Sequence, residues 1–177
     1  MHFPVPSLLA TATGLTGSAW TSGKTSLIIV YRIINDSFLG AIASLSLVGI
    51  PAALSAPSTS ATVWASIFNH GVAIMPKFAV TTALAYLYAA YDARQNGQSW
   101  KGFVSGAVLT VAIVPYTILF MSGTNELLYG AAKGTLQATN EEVAKLIGRW
   151  GVLNLGRSLL PLAGTVTAFL ALFESVY

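Results

Sequence analysis

GFVSGAVLTVAIVPYTILFM, residues 102–121, runs for twenty positions without a charged side chain. A helix rises ~1.5 Å per residue, so twenty such residues cross a hydrocarbon layer ~30 Å thick. A surface helix of a soluble domain keeps a charged or polar face, and this stretch has none. It therefore reads as a transmembrane helix and decides the class of the chain. Pro115 lies inside it and is expected to kink it, which neighbouring helices tolerate in a membrane.

Outward from this span the same pattern repeats. VAIMPKFAVTTALAYLYAAY, residues 72–91, is a second span with Lys77 near its start. LLPLAGTVTAFLALF, residues 159–173, is too short alone, and counting back about twenty residues from Phe173 puts the start of that span at Asn154. SFLGAIASLSLVGIPAALSA, residues 37–56, is a further span, and a weakly apolar stretch over about 8–23 precedes it. Trp64, Trp100 and Trp150 each stand just before a span, where interfacial tryptophans stand. Residues 55–64 and 92–101 read as loops. Thr139 and Glu142 have capping-box spacing, which predicts a short interfacial helix leading into the last span. The expected fold is all-α: an integral membrane four-helix bundle forming a single domain over residues 1–177.

Composition agrees. The 177 residues are 54% hydrophobic and 8% charged, against about a quarter charged in an ordinary soluble domain. The nine basic residues are scattered rather than clustered, which argues against a nucleic-acid partner. There is no cysteine, so disulfides, thiolate haem, iron–sulfur clusters and cysteine nucleophiles are excluded. The two histidines, His2 and His70, are too few for bis-histidine haem or a histidine-rich di-iron site, and no ligand spacing supports another metal. SAWTSGKT, residues 18–25, imitates a phosphate-binding loop, but Ser18 stands where the first glycine belongs and no strand precedes it. The first seven residues lack the basic head of a signal peptide, and NDS at Asn35 matters as a glycosylation acceptor only if lumenal. Loop charges lean weakly towards a cytoplasmic loop at residues 92–101.

Parity gathers the polar residues. Successive spans run in opposite directions, so His70, Lys77, Asn125, Glu126, Asn154 and Arg157 belong to one leaflet or its margin. Trp150, Asn154, Arg157 and Pro161 step by four, three and four and so share one helical face. Each residue also has an ordinary reading. Arg157 and Lys77 can snorkel to headgroups, Asn154 can join helices, Asn125 can cap one, and Glu126 can be a solvated loop charge. Gly102 and Gly106 form a small-xxx-small pair suited to helix packing. Together on one side of a small bundle, the polar residues imply a polar-headed pocket with apolar walls.

GAIASLSLVGIPAAL, WASIFNHG, PYTILFMSGTNELL and RWGVLNLGRSLLPLAG resemble the small multi-span anthrone oxygenases of fungal polyketide pathways. The resemblance covers most of the chain from Gly40 onward, and TN..L and W..LN..R..LPL are its most specific elements. It implies oxidation of an anthrone to an anthraquinone by molecular oxygen, a monooxygenase reaction of secondary metabolism without metal, flavin or other cofactor. The matching positions are Asn125, Trp150, Asn154 and Arg157. On chemistry, Arg157 is the expected oxyanion partner and Asn154 and Asn125 donors to substrate oxygens. His70 or Glu126 is the expected base, and Trp150 and Tyr116 are the expected stacking surfaces, with Lys77 a further substrate contact. The implied partners are a small aromatic polyketide, oxygen and lipid, in an intracellular endomembrane. Against the family pattern, residues 24–40 interrupt the first span. They read as an insertion of the kind a retained intron translated in frame would leave, or as an added interfacial helix. The rival readings are a small transporter, which needs a polar path across the whole bilayer, and a non-catalytic membrane scaffold.

Overall fold

A computed structural model describes residues 40–176 of the chain. The span at 8–23, the insertion up to residue 39 and the acceptor pattern at Asn35 lie outside the described residues.

The described chain is helical, with no strand among the described residues. Helix α1 covers Gly40–Leu54, α2 covers Ser60–Gln95, α3 covers Lys101–Ala132 and α4 covers Asn140–Val176. Helices α2, α3 and α4 are long and apolar enough to cross a membrane, and α1 is a shorter apolar helix. The chain is thus a multi-pass membrane protein with an all-α fold. Large apolar side chains on the outside, among them Val108, Ile118, Leu119, Val152 and Leu170, are more than half exposed and form a lipid-facing surface.

Each long helix exceeds the span expected of it. Residues 122–132 continue α3 rather than opening a loop, so Asn125 lies within the helix and is not its cap. The connection to α4 is short and turns on Gly134, whose φ of 70° favours glycine. The capping box forms. The Thr139 backbone N–H donates to Glu142 Oε2 at 2.8 Å, and the Glu142 backbone N–H donates to Thr139 Oγ1 at 3.3 Å. It does not start a separate interfacial helix. No proline stands between it and Pro161, and one helix of 37 residues, about 55 Å long, runs from the capping box through the bilayer.

The two ends of the bundle pack differently. At the end holding the α2–α3 turn the contacts are small and tight. A Cβ on Gly102 would stand 2.3 Å from the Thr167 carbonyl oxygen, and one on Gly106 would stand 2.5 Å from the Tyr86 ring. The small-xxx-small pair is therefore where α3 meets α4 and α2, and Ala90, Ala93, Ala107, Ala168 and Ala171 fill the rest of that core. At the other end the core is large and aromatic, built on Trp64, Met121, Leu128, Ile147 and Trp150. Trp64 and Trp150 are not headgroup-facing: they are 0% and 1% exposed, with ring centroids 5.9 Å apart edge to face. Position along a helix sets a residue's depth, whereas the side it faces depends on which neighbours it meets. Trp100, half-buried, stacks under Arg94 at 5.5 Å.

Candidate functional site

The inward stripe of α4 carries the polar centre. Of the four residues that the spacing groups, Trp150, Asn154 and Pro161 are buried along it and Arg157 is half-buried; Ser158, which the spacing does not single out, is buried beside them. Asn154 is 0% exposed and spends every polar atom on other residues. Its Nδ2 donates to the Ile42 carbonyl at 2.9 Å and to Ser46 Oγ at 2.8 Å, both in α1. Its Oδ1 accepts from Arg157 Nη2. Arg157 Nη1 reaches α3, donating to Thr117 Oγ1 at 3.1 Å. The Thr117 hydroxyl gives its own proton to the Ile113 carbonyl at 2.8 Å, so a lone pair is left to face the guanidinium. One asparagine and one arginine thereby tie three helices together.

Two local distortions bring the partners in. Helix α1 widens into a π-turn at Leu45–Gly49 and α3 into another at Thr117–Met121. Ser46 and Thr117 lie within these turns. Such single wide turns inside helices are frequent at functional sites. The cause in α3 is visible. Pro115 has no N–H for the carbonyl of Val111, the helix breaks at Ala112, and its register resets over the next turn. Pro161 likewise has no N–H to offer the Arg157 carbonyl, which leaves an acceptor on the same residue as the cation.

The electrostatics of this centre are unbalanced. Among the described residues the ion pair is Lys145 with Glu141, exposed at the head of α4. Arg157 has no carboxylate partner among the described residues, and its buried Nε–H has no hydrogen-bond acceptor there. The neighbouring aromatic core holds three more buried polar atoms without partners: Trp64 Nε1, Trp150 Nε1 and Asn125 Oδ1. Leaving such an atom dry costs ~1–3 kcal/mol, so these four neighbouring atoms call for a ligand or water, and Thr82 Oγ1 is a further one towards the other end.

Of the other expected site residues, Tyr116 joins the centre. Its hydroxyl donates to the Leu153 carbonyl at 3.2 Å, and its ring contacts Phe120 at 4.9 Å. Glu126 is exposed and lines a cavity of about 600 Å³ between the second half of α3 and α4, shared with Phe120, Gly123, Leu127 and Arg149. That cavity includes neither Asn154 nor Arg157. His70 and Lys77 are exposed on α2 and are not brought to the centre. The His70 ring binds the Ser66 carbonyl at 2.8 Å, within its own helix. No group of three potential metal-ligating side chains forms among the described residues.

Ser46, Thr117 and Arg149 were not legible as site residues. Serine and threonine are common in membrane helices, and nothing in their own neighbourhoods marks the two that meet an arginine. Pro115, two residues before Thr117, is the one available signal, since it foretells a break in α3.

Comparison with known proteins places the chain among named relatives. The chain is 36% identical over 158 residues to the monooxygenase hypC of Dothistroma septosporum, with 85% of each chain covered. It is 36% identical over 146 residues to the noranthrone monooxygenase of Aspergillus flavus, covering 78% of this chain and 70% of that one. It is 36% identical over 149 residues to an anthrone oxygenase of Claviceps purpurea, covering 79% and 85%. No solved structure matches. A family model described as anthrone oxygenase matches residues 64–167, a stretch that holds Thr117, Asn154 and Arg157. By that match and those relatives, the chain belongs to the anthrone oxygenase family.

Proposed function

We propose that this protein oxidises an anthrone to an anthraquinone with molecular oxygen, as part of aromatic polyketide metabolism in an intracellular endomembrane. The observation that carries the reading is the half-buried Arg157 cation, held by two neutral oxygens and by no carboxylate among the described residues. An intramembrane arginine is costly unless an anion joins it. The anion of an ionised anthrone supplies that charge. Family membership supplies the substrate class, since relatives are named noranthrone monooxygenase and anthrone oxygenase.

The chemistry follows from the substrate. The central methylene of an anthrone is acidified by the carbonyl opposite. Loss of one proton gives an electron-rich enolate, which passes electrons to oxygen. One anthrone and one dioxygen give one anthraquinone and one water: the methylene carbon loses two hydrogens and gains a carbonyl oxygen. The substrate is the reductant. Arg157 stabilises the enolate oxygen through its free Nε–H, in a site where low dielectric strengthens the pairing. Asn154 holds the guanidinium in place. Trp64 and Trp150 offer indole N–H donors, and Asn125 an acceptor, to substrate oxygens and hydroxyls. Glu126 or His70 is the proposed base and Lys77 a further substrate contact; all three are exposed, so the substrate reaches them outside the buried Asn154–Arg157 pair.

Oxygen uptake by the purified protein with 1,8-dihydroxyanthrone, compared with a chelator-treated sample, tests the reaction. Arg157→Leu should lower turnover at least about a hundredfold, as loss of an oxyanion donor does, while the protein still inserts. Undiminished turnover in that variant would remove the arginine from the mechanism.

A further inference from the structure

The cavity between α3 and α4 is a second feature, about one turn from the polar centre along α3. It measures about 600 Å³, within the ~300–1,000 Å³ usual for small-molecule sites. Leu119, Phe120 and Leu127 give it an apolar floor, and each is more than two-fifths exposed. Glu126 and Arg149 stand on its margin, and neither has an ion-pair partner among the described residues. Gly123 makes room in its wall, where an added Cβ would meet nothing within 4 Å.

The cavity lies about one turn along α3 from the residues that meet the buried cation. Phe120 lines the cavity and its ring lies 4.9 Å from that of Tyr116. Tyr116 bonds the Leu153 carbonyl, next to Asn154, and its neighbour Thr117 bonds Arg157. The Tyr116 and Phe120 rings therefore pack between the cavity and the polar centre.

Resting on the oxygenase reading, we propose that this cavity is the seat where a planar phenolic substrate is taken from the bilayer before it passes to Arg157. A fused-ring phenol partitions into the membrane, so its natural approach is sideways between lipid tails. The apolar floor suits its faces, and the Phe120 ring offers a stacking edge. Arg149 suits a phenolate or carbonyl oxygen and Glu126 a phenolic hydroxyl. A zwitterionic phospholipid is the competing occupant.

The test fills the cavity from two positions of its α3 wall. Gly123→Trp and Leu127→Trp are compared with the unaltered chain in phosphatidylcholine nanodiscs. Two readouts are taken: kcat/KM for 1,8-dihydroxyanthrone, and Kd for its stable product 1,8-dihydroxyanthraquinone. A fall in kcat/KM and a rise in Kd of about tenfold or more, in either variant that inserts, is expected. Unchanged values in both variants overturn the proposal, as does loss of co-purified phospholipid with kcat/KM unchanged. The two readings fail separately. If the unaltered chain binds the quinone but consumes no oxygen, and the variants lose the binding, the seat stands and the oxygenase reading falls. If the unaltered chain turns over and neither variant slows it, the seat falls alone.

Discussion

Thr117 shows how much one hydroxyl does at a buried cation. Its proton is committed to Ile113, so it meets Arg157 as a pure acceptor. Valine has nearly the same shape and no lone pair. Hydrogen bonds between membrane helices average only ~0.6 kcal/mol, so Thr117→Val should barely move the unfolding midpoint. The effect on turnover is larger, because the guanidinium then keeps one anchor and is free to turn about it. A drop of about tenfold in kcat is expected from misplacing a charged donor, with Thr117→Ser restoring it. Equal turnover in Thr117→Val and Thr117→Ser would show the contact to be mere packing. Arg157 and Asn154 were legible in the sequence, because asparagine and arginine on one face of an apolar helix need partners. Their partners were not, since a hydroxyl's role depends on which helix lies opposite.

At the scale of the element, helix α3 does two jobs with two kinds of residue. Its first half packs closely on α4 through Gly102 and Gly106, and its second half, after the Pro115 break, presents Thr117 and the cavity wall. The two glycines of α3 that matter most should respond oppositely to alanine. At Gly102 the new methyl would collide with backbone, the Thr167 oxygen at 2.3 Å, so the helices must part. Overpacking of this kind costs ~1–3 kcal/mol. At Gly123 the methyl meets open space, and alanine gains up to ~1 kcal/mol of helix propensity. Gly102→Ala should therefore lower the thermal unfolding midpoint in detergent, and Gly123→Ala should hold or raise it. The same sign for both would show that close approach is not what the first glycine provides. The packing role of Gly102 was readable from its spacing with Gly106. The π-turns were not, because no residue pattern distinguishes a widened turn from an ordinary one beyond a nearby proline.

Across the whole molecule, the site residues fall on one side of the bundle's middle. The aromatic core and the charged lining of the cavity sit at the end where α2 and α4 begin and the Asn154–Arg157 pair near mid-helix, while the other end is packed by alanine, glycine, Tyr86 and Phe103. This arrangement follows from parity, which is why it was legible before any contact was known: apolar length fixes the spans, and alternation fixes which ends meet. The alternation can be measured directly, because a chain without cysteine gives no labelling background. Single cysteines at Ser58 in the α1–α2 loop, Asn96 in the α2–α3 turn and Gln137 in the α3–α4 loop all replace exposed residues. In sealed vesicles a membrane-impermeant maleimide should modify Ser58→Cys and Gln137→Cys together, and Asn96→Cys only after permeabilisation, or the reverse in vesicles of opposite orientation. If Asn96→Cys labels with the other two, α2 and α3 do not both cross the membrane. The cation would then have no dry interior in which an enolate could balance it.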